Sequence, residues 1–246
     1  MTKEDIWLKK RLGMITASEL GQITSASGKI IDGNLSYIRS KRWERKRGFA
    51  HPASARTMDI GNEQEPMVYQ WAVENLIGGL GFDSIVYSKD LPEIPFWRAT
   101  DCPLGASPDA YTPDERIVFE FKTLVGATSI EFFGDEHTPY EEKKLAVVKD
   151  HLDQILGLFC SNSAVEEVWL IKYIYQDDDI MADTDSPLAS WRGLVFKFKR
   201  SDYKESIAQM KERVRLFDAM IDSPESPVNF KKGGWYVDAN GRLQHD

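Results

Sequence analysis

Residues 116–123 read Arg-Ile-Val-Phe-Glu-Phe-Lys-Thr, and this run constrains the fold more than any other segment. Side chains alternate on a strand, so Val118, Glu120 and Lys122 share one face while Phe119 and Phe121 share the other. Apolar residues on both faces are typical of a strand covered on both sides, which needs helices above and below a sheet. The expected class is therefore α/β, with a central mixed β-sheet flanked by helices. A carboxylate and an ammonium in such a strand are costly unless they pair or meet a cation. The plain alternative is an edge strand whose Glu120 and Lys122 reach water. Glu-x-Lys also begins at Glu44, Glu141 and Glu142, but those three copies lie in charged, helix-like stretches where wet ion pairs are the default.

The other segments fit the same class. Helices are expected over residues 4–12, from Thr16 or Ser18 to Ile23, through Arg39–Arg47, over Glu63–Leu76, and over Asp202–Ile221. Thr16-Ala17-Ser18-Glu19 is a capping-box pattern. Tyr140–Val147 and Val148–Phe159 read as two helical stretches, with a third near Ser129–Phe133. Strands are expected at Ser84–Ser88, Trp97–Thr100, Leu104–Ala110, Glu167–Tyr175 and Gly193–Lys199, the last two joined by an acidic loop over 176–190. Ser25–Asn34 reads as a loop, and the tail from Asn229 as a terminal hairpin. No repeat or linker stands out among the 246 residues, so one domain over 1–228 followed by a tail over 229–246 is the simplest division.

Charge is unevenly spread. The net charge is −8, yet residues 1–60 hold 12 Lys/Arg against 6 Asp/Glu, a net of +6 that leaves −14 for the rest. That suits an enzyme that attracts a polyanion at one surface and holds cations with carboxylates elsewhere, although chance clustering on solvated faces gives the same count. Arg39–Arg47 carries six Lys/Arg and one Glu. It would track phosphates on an exposed helix face, with Trp43 either stacking on a base or, the preferred reading, anchoring the helix to the core. Apolar runs are too short to span a bilayer, and the polar start Met1–Asp5 is not a signal peptide. Cys102 and Cys160 are too few for a disulfide framework or a Cys-based zinc site, and the four histidines show no paired ligand spacing. A cytoplasmic protein with reduced thiols and no membrane partner is expected.

Candidate chemistry begins at Ser107-Pro108-Asp109, separated by ten residues from Glu120-Phe121-Lys122. A hard ion such as Mg²⁺ takes oxygen ligands, commonly one or two carboxylates with water and substrate phosphate. Asp109 and Glu120 offer the carboxylates, the Phe121 carbonyl a third oxygen, and Lys122 a charge beside the attacking water. Metal binding acidifies that water, so no histidine base is needed. Arg11 offers a planar fork for a phosphate, and Thr16 and Ser18 lie where a helix start favours an anion. The plain readings are a surface arginine and an ordinary cap. Glu65 reads equally as a first-turn helix acid, and Gln154 as a solvent-facing residue.

Four ordered stretches resemble the phage lambda exonuclease family, also described as YqaJ-like viral recombinases. They are Trp7 with Arg11-Leu12-Gly13-Met14-Ile15-Thr16-Ala17-Ser18, Gly61-Asn62-Glu63-Gln64-Glu65, Ser107-Pro108-Asp109 with Glu120-Phe121-Lys122, and His151-Leu152-Asp153-Gln154. The resemblance implies the PD-(D/E)xK restriction-endonuclease-like fold and a metal-dependent exonuclease that digests one strand of linear double-stranded DNA to mononucleotides, 5′→3′. The 3′ single strands it leaves would serve phage-type recombination by annealing. By the same resemblance Asp109, Glu120, Phe121 and Glu65 hold metal, with two Mg²⁺ ions for which Mn²⁺ can substitute, and Lys122 is the catalytic lysine. Arg11, Thr16, Ser18, Ser107 and Gln154 would form a 5′-phosphate pocket. It further implies a ring-shaped homotrimer threaded by DNA, a single-strand annealing protein as partner, and a phage or prophage origin in a bacterial cytoplasm. The sequence departs from the family in a shorter loop after Ser18, where Lys29 is the nearby basic residue, and in Leu156 where the family has a second Gln. A structure- or sequence-selective endonuclease of the same fold and a non-catalytic DNA-binding recombination module are the alternatives.

Overall fold

The computed structural model describes residues 2–23, 30–49, 65–77, 85–125, 137–175, 193–225, 231–232, 234–237 and 243–245. Lys29, the stretch 129–133 and the acidic loop 176–190 lie outside the described residues. At the centre is a five-stranded sheet in the order β2-β5-β6-β7-β8. Its strands are β2 (Val86–Tyr87), β5 (Ala110–Tyr111), β6 (Ile117–Val125), β7 (Glu167–Tyr175) and β8 (Gly193–Lys199). The run singled out in the sequence is β6, the middle strand. It pairs antiparallel with β5 and in parallel with β7 over nine residues, and β7 pairs antiparallel with β8. The sheet is therefore mixed, as expected.

A parallel pair needs a crossover, and here it contains α5 (Tyr140–Ser161). The two helical stretches expected on either side of Val147 are this one helix, because neither Gly nor Pro interrupts residues 140–156. From β6–β8, Val118, Val168, Leu170, Phe196 and Phe198 pack in one cluster with Ile155, Leu156 and Phe159 of α5. Val214 and Phe217 of α6 (Lys204–Asp222) join them. On the other face Phe119, Phe121, Trp169, Ile171 and Tyr173 meet Val68, Trp71 and Ala72 of α4 (65–72), which finishes in a π-helical turn, Val73–Ile77. Both faces of β6 are thus covered, which excludes the edge-strand reading.

A second sheet has the order β1-β4-β3, with β1 (Ile15–Thr16) parallel to β4 (Leu104–Ala106) and β3 (Trp97–Arg98) antiparallel to it. The strand expected over Leu104–Ala110 is therefore two strands in two sheets. Pro108 cannot donate to a ladder, and the chain crosses between sheets at Ser107–Asp109. Ser88 fastens the crossing: its Oγ donates to the Pro108 carbonyl at 2.5 Å and its N–H to the Asp109 carbonyl at 2.9 Å.

Ahead of these lie α1 (Lys3–Arg11), a 3₁₀ turn Ala17–Glu19 that runs into α2 (Leu20–Ile23), and α3 (Asp32–Arg47). The basic stretch on α3 is not an exposed stripe. Lys41 is buried, Arg42 donates to the carbonyls of Met220, Ile221 and Ser223 at the end of α6, and Arg45 pairs with Asp218 (2.6 Å) and Asp222 (2.8 Å). Three of its six cations therefore serve the interior, and Arg39, Lys46 and Arg47 remain exposed. Trp43 meets Phe49 edge to face, with ring centroids 4.8 Å apart. The tail forms an antiparallel meander of β9 (Lys231–Lys232), β10 (Trp235–Val237) and β11 (Leu243–His245) where a hairpin was expected. Both cysteines are free and buried. No helix among the described residues is long and apolar enough to cross a membrane.

Gly157 lets α5 lie directly on the 3₁₀ turn. A Cβ there would stand 2.6 Å from Ala17 Cβ and 2.8 Å from Ala17 Cα. Backbone cannot yield as a flexible side chain would, so Gly157→Ala is expected to destabilise by about 1–3 kcal/mol despite the roughly 1 kcal/mol gain in helix propensity. A fall in the urea midpoint is the measurement; an unchanged or raised midpoint contradicts the close approach.

Candidate active site

An open cavity of about 800 Å³ is lined by α1, the 3₁₀ turn, the sheet crossing, β6 and α5. On one wall, β6 points Glu120 and Lys122 the same way, as the alternation predicts. Lys122 Nζ lies 2.6 Å from Glu120 Oε1, and Gln154 of α5 donates to that same oxygen. Glu120 Oε2 is buried and has no hydrogen-bond partner. Because β5 begins only at Ala110, opposite Phe119, the N–H of Phe121 has no strand partner on that side and donates to Asp109 Oδ2 at 2.8 Å. A strand residue projects its carbonyl to the same side as its N–H, so the Phe121 carbonyl leaves β6 toward Asp109.

The electrostatics of this wall are strained by like charges. Burial, then the charges of Glu120 and Glu65, push the Asp109 carboxyl well above the usual range. Burial works against the Lys122 ammonium, but Glu120 and Asp109 outweigh it and hold its pKa above the ordinary lysine value. Glu65 lines the cavity and is held by the Tyr87 hydroxyl (3.0 Å) and Lys89 (3.1 Å). Among the described residues, no three His, Cys, Asp or Glu side chains gather into a metal cage of their own.

The opposite wall gathers the polar side chains of Arg11, Thr16, Ser18 and Ser107. Arg11 stacks on the Trp7 ring, its Cζ 4.3 Å from the ring centroid, and the Trp7 indole N–H donates to Ser107 Oγ at 2.5 Å. Arg11 Nη2 donates to Thr16 Oγ1 at 3.4 Å, and Ser18 Oγ lies 3.3 Å from the same atom. Arg11, Thr16, Ser18 and Ser107 therefore meet in one place. A three-residue 3₁₀ turn and the four-residue α2 follow Thr16, too short a run for a strong dipole, so side chains dominate this wall. Gln154, expected beside the phosphate, hydrogen-bonds Glu120 and belongs to the carboxylate wall. Trp7 as a link between Arg11 and Ser107, and Tyr87 and Lys89 as supports of Glu65, are features that sequence reasoning missed. Indole and phenol signal only a core position until their partners are known.

The fold has solved counterparts. An alkaline exonuclease, LHK-Exo, from Laribacter hongkongensis is similar with a TM-score of 0.62 at 19% identity, over 89% of this chain and 92% of that one. LHK-Exo in complex with dAMP gives a TM-score of 0.59 at 17% identity, over 89% and 92%. A phage related exonuclease from Haemophilus somnus 129PT gives 0.56 at 15% identity, over 85% and 95%. This chain has the fold of these exonucleases. No family model matches the sequence, and no curated protein matches it either.

Within this exonuclease fold, a buried pair sits beside β6. Lys172 of β7 stands opposite Lys122 in the parallel register, and its Nζ lies 3.1 Å from His151 Nε2 on α5. Burial first, then the charges of Lys172 and Lys122, lower the His151 pKa to about 3. An unfolded imidazole takes up its proton near 6.5, so between pH 6.5 and about 3 the unfolded chain binds more protons. Stability is therefore expected to fall as the pH drops through that window. His151→Gln should flatten this acid limb in unfolding curves taken from pH 7 to 4; an identical slope in the variant contradicts it.

Proposed function

We propose that the protein is a metal-dependent exonuclease that digests one strand of linear double-stranded DNA in the 5′→3′ direction, releasing mononucleotides and leaving a 3′-ended single strand. A single observation carries this reading. One cavity has Asp109, Glu120 and Lys122 on one wall and Arg11, Ser18 and Ser107 on another, so a terminal phosphate and its neighbouring phosphodiester have separate seats. The fold shared with exonucleases supports it, as does the mononucleotide dAMP bound by LHK-Exo.

The residues present fit a hard divalent ion. A buried carboxylate oxygen without a partner, Glu120 Oε2, costs free energy unless a cation completes it. The repulsion at Asp109 is relieved the same way. Asp109, Glu120 and the Phe121 carbonyl would hold Mg²⁺, or Mn²⁺ in its place, and Glu65 would help hold a second ion. Bound there, the metal supplies Lewis-acid polarisation of the phosphodiester and a more acidic water. Gln154 keeps the Glu120 carboxylate oriented. Lys122 offsets the charge that develops on the phosphoryl oxygens. Arg11, Ser18 and Ser107 hold the terminal phosphate and so set the cut one nucleotide from the end.

Digestion of end-labelled linear duplex tests the reading. The expected result is release of 5′-terminal mononucleotides with Mg²⁺ but not with EDTA, faster from 5′-phosphorylated than from 5′-hydroxyl ends. Degradation from the 3′ end, or nicking of covalently closed circles at a comparable rate, contradicts it. The same reading carries a homotrimeric ring around the duplex and a single-strand annealing partner; light scattering on the purified protein tests the ring.

A further inference from the structure

The hydroxyl protons of the anion pocket can be assigned from their partners. A carboxylate has no proton to give, so at 2.8 Å Thr16 Oγ1 donates to Glu19 Oε2. The Thr16 backbone N–H reaches the same oxygen at 3.1 Å. With its one side-chain proton spent, Thr16 Oγ1 can only accept, from Arg11 Nη2 at 3.4 Å and from Ser18 Oγ at 3.3 Å. Ser107 has the opposite polarity. Its Oγ accepts from the Trp7 indole, which leaves the Ser107 proton free for a ligand.

Glu19 is itself fixed from behind. Lys41 Nζ lies 2.8 Å from Glu19 Oε1, and the Tyr37 hydroxyl donates to Oε2 at 3.3 Å. The Lys41 side chain is 6% exposed and that of Glu19 20%, so the pair is largely shielded from water that would loosen it. The lengths also rank the contacts. Arg11 and Ser18 hold Thr16 by long, weak bonds that a phosphate oxygen can take over, whereas the short Thr16–Glu19 bond persists.

We propose that Glu19 is a positioning residue for recognition of the 5′-terminal phosphate: it makes Thr16 an acceptor that aims Arg11 and Ser18 at the cavity. The phosphate is then bound by Arg11, Ser18 and Ser107, with Thr16 organising the donors instead of contributing one. This rests on the anion-pocket reading under Proposed function and departs from the direct role that family resemblance implies for Thr16. Glu19 brings negative charge near an anion, which Lys41, shared with Glu44, offsets in part, and its role is the control of hydroxyl direction.

Fluorescence anisotropy with blunt duplex oligonucleotides bearing a 5′-phosphate or a 5′-hydroxyl, in EDTA, tests this through the ratio of the two Kd values. Glu19→Met, which removes the acceptor that an amide would keep, and Thr16→Val should each reduce the phosphate preference about tenfold, the scale of one charge-assisted hydrogen bond. The double variant should lose no more than either single one, because the two residues act in series. Thr16→Ser, which keeps the hydroxyl, should retain the preference. Additive losses, a preference unchanged or strengthened in Glu19→Met, or a loss in Thr16→Ser equal to that in Thr16→Val overturns the proposal. Should Glu19→Met fail to fold, the comparison of Thr16→Ser with Thr16→Val decides it. A wild-type protein without phosphate preference overturns the pocket reading as well, so the two failures are distinguishable.

Discussion

Asp109→Asn is expected to reduce nuclease activity on the order of 10³-fold or more and yet to melt at a higher temperature than the wild type in EDTA. Asp109 is driven above the ordinary carboxyl range by burial and by Glu120 and Glu65, so its ionised form is paid for by the fold. A carboxyl whose folded pKa is raised binds more protons folded than unfolded, and stability is lost as the pH rises through the shifted range. Asparagine keeps the oxygen that accepts from the Phe121 N–H but never ionises. In EDTA at pH 8 the variant should therefore melt about 2–6 °C higher, the change expected for roughly 1–2 kcal/mol in a chain of this size. Adding Mg²⁺ should raise the wild-type Tm and leave that of the variant almost unmoved. Equal responses to Mg²⁺ in the two proteins would remove Asp109 from the metal set.

The largest loss of stability is expected from Lys41→Met. Lys41 lies between Glu19 (2.8 Å) and Glu44 (3.0 Å), and Glu44 in turn accepts from the Gly13 N–H at 3.2 Å. Removing the ammonium strands two mostly buried carboxylates, which costs up to about 3–5 kcal/mol, or roughly 10 °C in Tm. Neutralising both acids as well, in Glu19→Gln/Lys41→Met/Glu44→Gln, should recover most of that loss, because a neutral replacement leaves no uncompensated charge. If the triple variant melts as low as the single one, the penalty comes from lost packing of the lysine stem and not from the carboxylates.

Much of the carboxylate wall is legible in the sequence, because strand alternation is local: Val118, Glu120 and Lys122 face α5 and Phe119 and Phe121 face α4. The sheet order is not local, and the strand expected at Leu104–Ala110 hid a change of sheet that Pro108 alone hinted at. Charge runs mislead for a related reason. Nothing in Arg39–Arg47 distinguishes Arg39, which is exposed, from Lys41, whose two acids lie 22 and 3 residues away on either side of it in the chain. The capping-box reading of Thr16 and Glu19 holds, since their hydrogen bonds span three residues. Gln154 could be placed on a helix but not on Glu120, its partner 34 residues back.

The passage of the chain from one sheet to the other at Ser107–Asp109 has a consequence for how this protein tolerates change in length. Ala106 and Ala110 are each locked by ladder bonds, to Trp97 and Phe119 respectively, so the three residues between them have no slack to share. One residue inserted at this seam would bulge into the cavity that the seam lines and leave both ladders standing, but it would carry the Asp109 carboxylate away from the Phe121 N–H. Such a length variant should keep its melting curve and lose its chemistry, which makes the seam a place where an insertion is silent to folding and, on the function proposed above, lethal to turnover.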